Sequence, residues 1–471
     1  MTDVRRTDTR PGMLLAVVSA VIFFDALDLS ITQIALPEIQ VSLQVATSAL
    51  PWIAAAYVVT YGGFLLFGGR ASDLLGSRPV FLAGLAVFGI ASLVCGLAGS
   101  AVVLIGARAV QGVGAALTVP AAISILATAF TDERARTRAF GIFAAAAASG
   151  FSAGLVFGGL ITSGLSWRWI FLAKVPAVAI TLAVALAALP VGKPAKRGGY
   201  DLAGAVTVTA GSVLLMYGIT LAGVPDADPL GVAAPIVGGL VLLAAFLAIE
   251  RASRSPLLPL RVLRLRTLRA ADAAALTVLA APFGISYVVT LYQQSVLHWS
   301  PWQTALTLLP GAVASALVSR YLAPPLLHRF GLRTVYATAM LIVAVGDAVL
   351  IALTPGAVTW LVVVGTLLSF GLGMGLAYPA ATLGGVHGIE PADQGTAAGL
   401  NNTALQLGGG LGLAIVATAV TAGLRGNPPD AVAPDLGLHA ARWGAVAATV
   451  LPLLGALIVL VGMRDRRRPG R

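Results

Sequence analysis

Long apolar runs, each about the length of a bilayer-crossing helix, alternate with short polar breaks from one end of the chain to the other. They lie at roughly 13–33, 50–69, 79–98, 102–128, 138–161, 168–189, 203–222, 232–250, 270–294, 303–324, 334–353, 358–384, 397–420 and 441–463. Fourteen such runs predict fourteen transmembrane helices and leave no polar stretch long enough for a soluble domain. Composition agrees: 58% of the 471 residues are hydrophobic and 10% charged, with a mean hydropathy of +0.92. Soluble domains carry about 25% charged residues. The first run follows Arg5, Arg6 and Arg10 as a signal peptide would. It is too long for one and contains Asp25 and Asp28, so an uncleaved first helix is expected. The single cysteine, Cys95, cannot form an internal disulfide and reads as a small buried side chain.

The net charge of +11 would suit a nucleic-acid binder, but the basic residues are placed otherwise. They gather before the first span, after spans 2, 4, 6, 8 and 10, and after the last. The opposite loops hold only Arg168, Arg425 and Arg442, and Arg108, Lys174 and Arg320 fall inside spans. This is the positive-inside pattern. It predicts a cell (inner) membrane protein with both termini cytoplasmic, and no nucleic-acid partner. The short basic loop 190–202 and the arginine-bearing segment 251–269 read as cytoplasmic linkers, the latter lying near anionic headgroups.

Charges inside spans are costly and face a bundle interior or a wet cavity. Asp25 and Asp28, three residues apart, share one helical face. Arg108 in span 4 needs a counter-charge, and these two acids are available in the same half. A pair that exists only while its carboxylate is ionised is a proton switch, because protonation breaks it and shifts the bundle. Asp347, alone in the middle of span 11, completes the proton-coupling set Asp25, Asp28, Arg108 and Asp347. Lys174 is expected to snorkel to the outer interface, and Asp272 to cap or pair near the inner one. Tyr287, Tyr292, Gln293, Gln294, Tyr378, Asn401, Asn402 and Gln406 suit a cavity that holds large, partly apolar molecules by stacking and a few hydrogen bonds. The four histidines lack metal-ligand spacing and no phosphate-binding G-x-x-x-x-G-K-[ST] loop is present. No enzyme activity, cofactor, metal or ATP drive is expected; an ion gradient is.

Asp73-Leu74-Leu75-Gly76-Ser77-Arg78 after span 2 and His328-Arg329-Phe330-Gly331-Leu332-Arg333 after span 10 are similar tight turns. They suggest two related six-helix halves with spans 7 and 8 inserted between them. The expected segments are 1–200 and 270–471 for the halves, 201–250 for the inserted pair and 251–269 for the linker. In the loop Gly69 to Arg78, the glycines permit close approach and a sharp turn, and Asp73 can cap a helix or pair with a base. Gly69, Asp73, Gly76 and Arg78 are therefore candidate gating residues. Gly150, Gly154, Gly158 and Gly159 in span 5 form a small-residue stripe for helix packing.

These motifs carry a resemblance. The loop Gly69–Arg78 resembles the signature loop of the major facilitator superfamily, with Ser77 where the family usually has a basic residue. Arg108 to Ala116 is similar to the family's buried-arginine motif. Gly150 to Gly159 resembles the motif shared by its exporters, with Leu155 in place of a proline. Leu27 to Pro37, Trp167 to Phe171, Tyr200 to Ala205 and Gly395 to Gly412 resemble the fourteen-helix drug:proton antiporters, so the likeness spans essentially the whole chain. It implies an all-α major facilitator fold of two six-helix halves plus two inserted helices. It further implies a monomeric, proton-coupled exporter of amphipathic drugs or secondary metabolites, working by alternating access in the lipid bilayer. The rivals are proton-coupled uptake, which Leu155 leaves open, and a lipid-handling membrane protein.

Overall fold

A chain in hydrocarbon must satisfy its backbone hydrogen bonds internally, so apolar runs of this length become helices. The computed structural model describes residues 11–130, 132–189, 201–224, 227–253, 265–354, 358–389, 394–424, 427 and 434–463. Among them fourteen helices are long and apolar enough to cross a membrane. They are α1 (Pro11–Leu43), α2 (Pro51–Leu75), α3 (Ser77–Gly96), α4 (Ala101–Ala129), α5 (Arg134–Gly164), α6 (Trp169–Ala188) and α7 (Leu202–Leu221). The rest are α8 (Pro229–Ala252), α9 (Arg266–Val296), α10 (Pro301–Phe330), α11 (Leu332–Ala352), α12 (Val358–Gly384), α13 (Ala397–Gly423) and α14 (Asp435–Gly462). The expectations for 190–200, for 254–264 and for the terminal arginines lie outside the described residues.

Packing repeats with a period of eight helices. In the first half α1 packs on α5, α2 and α3 on α4, and α3 on α6; in the second, α9 packs on α13, α10 and α11 on α12, and α11 on α14. The turns seen in the sequence repeat too: Gly76 and Gly331 sit between consecutive helices at φ 94° and 81°. An L side chain in this glycine-only backbone region costs about 1–3 kcal/mol. Gly76→Ala should therefore lower stability by about 1–3 kcal/mol, measured by thermal unfolding in detergent.

The repeat extends to four arginine clasps. Arg78 donates to the Leu186 carbonyl (2.7 Å) at the end of α6, and Arg168, just before α6, donates to Ala98 O (3.0 Å) just past α3. Arg333 and Arg442 do the same for α11 and α14, on Leu460 O and Leu353 O (both 2.7 Å). Each cation meets the negative end of a helix, so α3 with α6, and α11 with α14, are tied at both ends.

Two features differ from the sequence reading. The first helix runs on to Leu43, past Pro37, because Leu36 and Ile39 are fully buried and hold the last turns. Three spans contain π-helical turns, Tyr292–Val296, Val318–Leu322 and Leu367–Met374. Hydrophobic periodicity does not report an i→i+5 hydrogen bond. Leu155 is buried within an uninterrupted α5.

The span 5 glycines bring helix backbones together. A Cβ on Gly150, Gly154 or Gly158 would fall on α1, at Phe23, Leu27 and Ile31, and one on Gly159 would fall on Trp302 and Ala305 of α10. Ser30 Oγ donates to Phe151 O (2.8 Å) across the same contact. Gly154→Leu should overpack this contact and cost about 1–3 kcal/mol, read as a lower unfolding temperature.

The two halves meet at the face opposite the one where α1 begins and α14 ends, the latter called here the terminal face. Gln294 Nε2 donates to Ile34 O (3.1 Å), and Trp302 N donates to Ser163 Oγ (3.1 Å). Toward the terminal face the halves part around a cavity.

Candidate functional site

Asp28 is the centre of a dry ionic cage. It is 0% exposed and forms ion pairs with both Arg108 and Lys174. Gln111 Nε2 donates to its Oδ1 (3.2 Å) and to Ser92 Oγ (2.9 Å), while Arg108 donates to Gln111 Oε1 (2.7 Å) and Ile53 O (2.9 Å). Aromatic faces close the cage: the Arg108 guanidinium lies 4.5 Å from the Tyr57 ring centre, and the Lys174 ammonium 4.9 Å from that of Phe171. A buried charge persists only when paired and hydrogen-bonded, and this cage supplies both.

Lys174 therefore corrects the sequence reading. It does not snorkel to the interface; it is 5% exposed and turned inward onto Asp28. The attraction of the Asp28 carboxylate across a low-dielectric interior outweighs hydration of a single ammonium at the rim. Asp25 and Asp28 also part company. Three residues advance a helix by about 300°, so the two side chains leave it about 60° apart and about 4.5 Å apart along its axis. Asp28 turns into the cage, and Asp25 reaches the cavity. Tyr57 joins them, with its hydroxyl donating to Asp25 Oδ1 and its ring under Arg108.

The cavity has a volume of about 420 Å³, within the range of small-molecule sites. Its walls are mostly apolar, with Ile22, Leu29, Phe143, Phe151, Phe283 and Phe370 contributing. The polar groups are few: Asp25, Tyr61, Tyr378, Asn402, Gln406, Ser315 and Ser319. Asp25 is the one lining residue that can carry a charge near neutral pH. The Phe151 and Phe370 rings, one from each half, stand 6.0 Å apart at the wall. Two π-helical turns, through Ser319 and through Phe370 and Met374, face the cavity.

Of the expected binding residues, the structure brings Tyr378, Asn402 and Gln406 to this wall. It leaves Tyr287, Tyr292, Gln293 and Gln294 outside the lining, buried toward the opposite face. Gln293 Oε1 accepts from Thr307 Oγ1 (3.1 Å), and Gln294 is spent on Ile34. Asn401 points away and donates to Asp272 (2.9 Å), so Asp272 pairs with α13 and does not cap α9. Asp347 is fully buried in the second half, outside the lining, with Ser369 beside it. Gly69 has only Pro120 Cβ within reach of an added Cβ, at 3.9 Å; the close helix approach is one residue earlier, where Gly68 abuts the Ala116 backbone. Ser77 hydrogen-bonds Ser72 and Ser124 (2.9 and 2.7 Å), and Arg78 forms its clasp.

Tyr57, Tyr61 and Gln111 went unassigned in the sequence reading. Their signal was present: Tyr57 and Tyr61 stand four apart on one face of a span, and Gln111 stands three from Arg108.

Comparison with known proteins agrees with this architecture. The family model of the Major Facilitator Superfamily matches residues 18–413. The chain is 36% identical over 440 residues to the cephamycin export protein CmcT of Amycolatopsis lactamdurans, covering 92% of this chain and 90% of that one. It is 35% identical to the puromycin resistance protein pur8 of Streptomyces alboniger, over 88% and 82% of the two chains. Among solved structures, a bacterial homologue of the human lysosomal transporter Spinster, inward-facing and unoccupied, superposes with a TM-score of 0.64 at 18% identity, over 98% of this chain and all of that one. From its helix repeat to the buried arginine of its fourth helix, the chain belongs to the major facilitator superfamily.

Proposed function

We propose that this protein exports amphipathic drugs or secondary metabolites in exchange for protons, by alternating access. One observation carries the reading: a largely apolar cavity between the halves is lined by a single carboxylate, Asp25, wired through Tyr57 to the Arg108–Asp28–Lys174 cage. A proton and a cationic substrate compete for that carboxylate. Substrate binding from the terminal face displaces the proton, and proton binding from the other face displaces the substrate. Each ligand then biases the bundle by its differential affinity for the two states. The antibiotic export and resistance functions in the relatives' names support the substrate class. The positive-inside pattern supports a cytoplasmic terminal face in the inner membrane, and the eight-helix packing repeat supports halves at 1–200 and 270–471 with the inserted pair at 201–250. We take the working unit to be a monomer, with Asp347 and the loop Gly69–Arg78 in supporting coupling and gating roles.

The test is movement of a lipophilic cationic dye in proteoliposomes under an imposed pH gradient. Dye movement driven by the gradient and abolished by a protonophore supports the proposal. A gradient-independent leak, or dye movement in the same direction as the protons, overturns it.

A further inference from the structure

At the terminal face the first turn of α9 meets the last turns of α14. Gly462 lets the two backbones close, since a Cβ there would fall on that of Ala270. Arg266 donates to Val461 O (3.0 Å), at the negative end of α14. Over this contact runs a groove of about 490 Å³, lined by Arg266, Arg269, Leu457, Ile458 and Val461. Its α9 side is basic. Arg266 and Arg269 stand three apart on one side of the helix, and both are exposed. The Arg269 guanidinium has no hydrogen-bond or ion-pair partner among the described residues. Its α14 side is apolar. Leu453, Leu457 and Val461, four apart, form a stripe that is 44, 56 and 64% exposed, and on a membrane-spanning helix such a stripe meets hydrocarbon.

The sequence beside the groove has no acid to spare for these cations. Residues 251–271 hold six arginines and no acid, and residues 463–471 hold five arginines against Asp465. Asp272, the next acid on α9, is turned inward onto Asn401. Both neighbouring segments are therefore repelled by the pair, and the anion it attracts comes from outside the chain. The two sides of the groove then narrow its chemistry. Free phosphate would meet the arginines and leave the apolar stripe bare. A neutral lipid would cover the stripe and leave the arginines unpaired. A phosphodiester carrying acyl chains meets both, because a guanidinium forks onto two phosphate oxygens.

We propose that the α9–α14 groove binds one anionic phospholipid of the terminal-face leaflet. Its phosphate sits on the Arg266–Arg269 pair, and an acyl chain lies along Leu453, Leu457 and Val461. About three turns further on, α9 contributes Leu279, Pro282 and Phe283 to the cavity wall. The lipid thus ties the terminal end of a cavity helix to α14. The site needs only the membrane-spanning fold and stands apart from the transport reading.

The test uses delipidated protein in detergent, titrated with phosphatidylglycerol or with phosphatidylcholine of the same chains. Bound lipid is counted by native mass spectrometry. Arg269→Gln removes a cation that bonds no other described group, so the fold is left intact, and Leu457→Trp blocks the stripe. Arg329→Gln, at an exposed arginine of the α10–α11 turn, is the control. The site predicts one tight phosphatidylglycerol adduct, with phosphatidylcholine bound about tenfold or more weakly. Arg269→Gln and Leu457→Trp should each weaken phosphatidylglycerol by about tenfold or more, and the control should match wild type. Equal binding of the two lipids, or wild-type affinity in either site variant, overturns the proposal. Displacement of phosphatidylglycerol by inorganic phosphate also overturns it, as the mark of a free-phosphate site. Binding that appears only after residues 464–471 are removed does so too, by assigning the groove to the chain's own tail.

Discussion

Arg108→Ala should abolish export and lower stability by about 3–5 kcal/mol, the cost of removing one partner from a buried ion pair. Asp28 is held away from water by two cations, Arg108 and Lys174, and the substitution removes one of them. It also orphans the Ile53 carbonyl and the Gln111 amide oxygen, which Arg108 now serves, and the Tyr57 ring loses the cation above it. Arg108→Lys restores the charge but not the forked geometry that reaches Asp28, Gln111 and Ile53 together. It should recover part of the stability and little of the transport. Thermal unfolding of the purified protein, beside dye efflux, checks both statements. A fully stable, inactive Arg108→Ala would mean that the cage carries no folding energy.

Asp25→Asn should do the opposite, sparing the fold while uncoupling transport. Asp25 lines the cavity, accepts from Tyr57 and, among the described residues, takes part in no ion pair within 4.0 Å, and an asparagine oxygen can accept the same hydrogen bond. The loss falls on the substrate's cation. A hydrogen bond to a charged group contributes about 1.5–3 kcal/mol, so affinity for a lipophilic cation should fall about tenfold or more. An uncharged amphiphile of the same size should bind as before. Equilibrium binding of the two ligands to wild-type and Asp25→Asn protein separates a charge effect from a change in cavity shape.

The fold was largely legible because its information is local. Apolar run length fixes each span, and the paired turns at Gly76 and Gly331 disclose the repeat. The site was legible only where local pattern sufficed. Arg108 demands an acid, and Asp25 and Asp28 stand in the same half, so the partnership could be inferred but not its division. Which acid enters the cage depends on about 60° of helical rotation and on where α4 and α6 pass. Lys174 shows the same limit, since depth within a tilted bundle is a tertiary property. Tyr287, Tyr292, Gln293 and Gln294 have the chemistry of a binding site, yet they lie on the shut side of the molecule. A sequence carries no mark of which side of an alternating bundle is open. The π-helical turns that shape two parts of the cavity wall leave no periodicity to find.

The most direct measurement is proton release on substrate binding. Purified protein in weakly buffered detergent solution is mixed with a saturating lipophilic cation, and the pH change is recorded. If Asp25 is the carboxylate shared by proton and substrate, wild-type protein releases protons on binding and Asp25→Asn releases none, under conditions where both are saturated. Release that persists undiminished in Asp25→Asn would contradict the account, because the exchanged proton would then sit on another group.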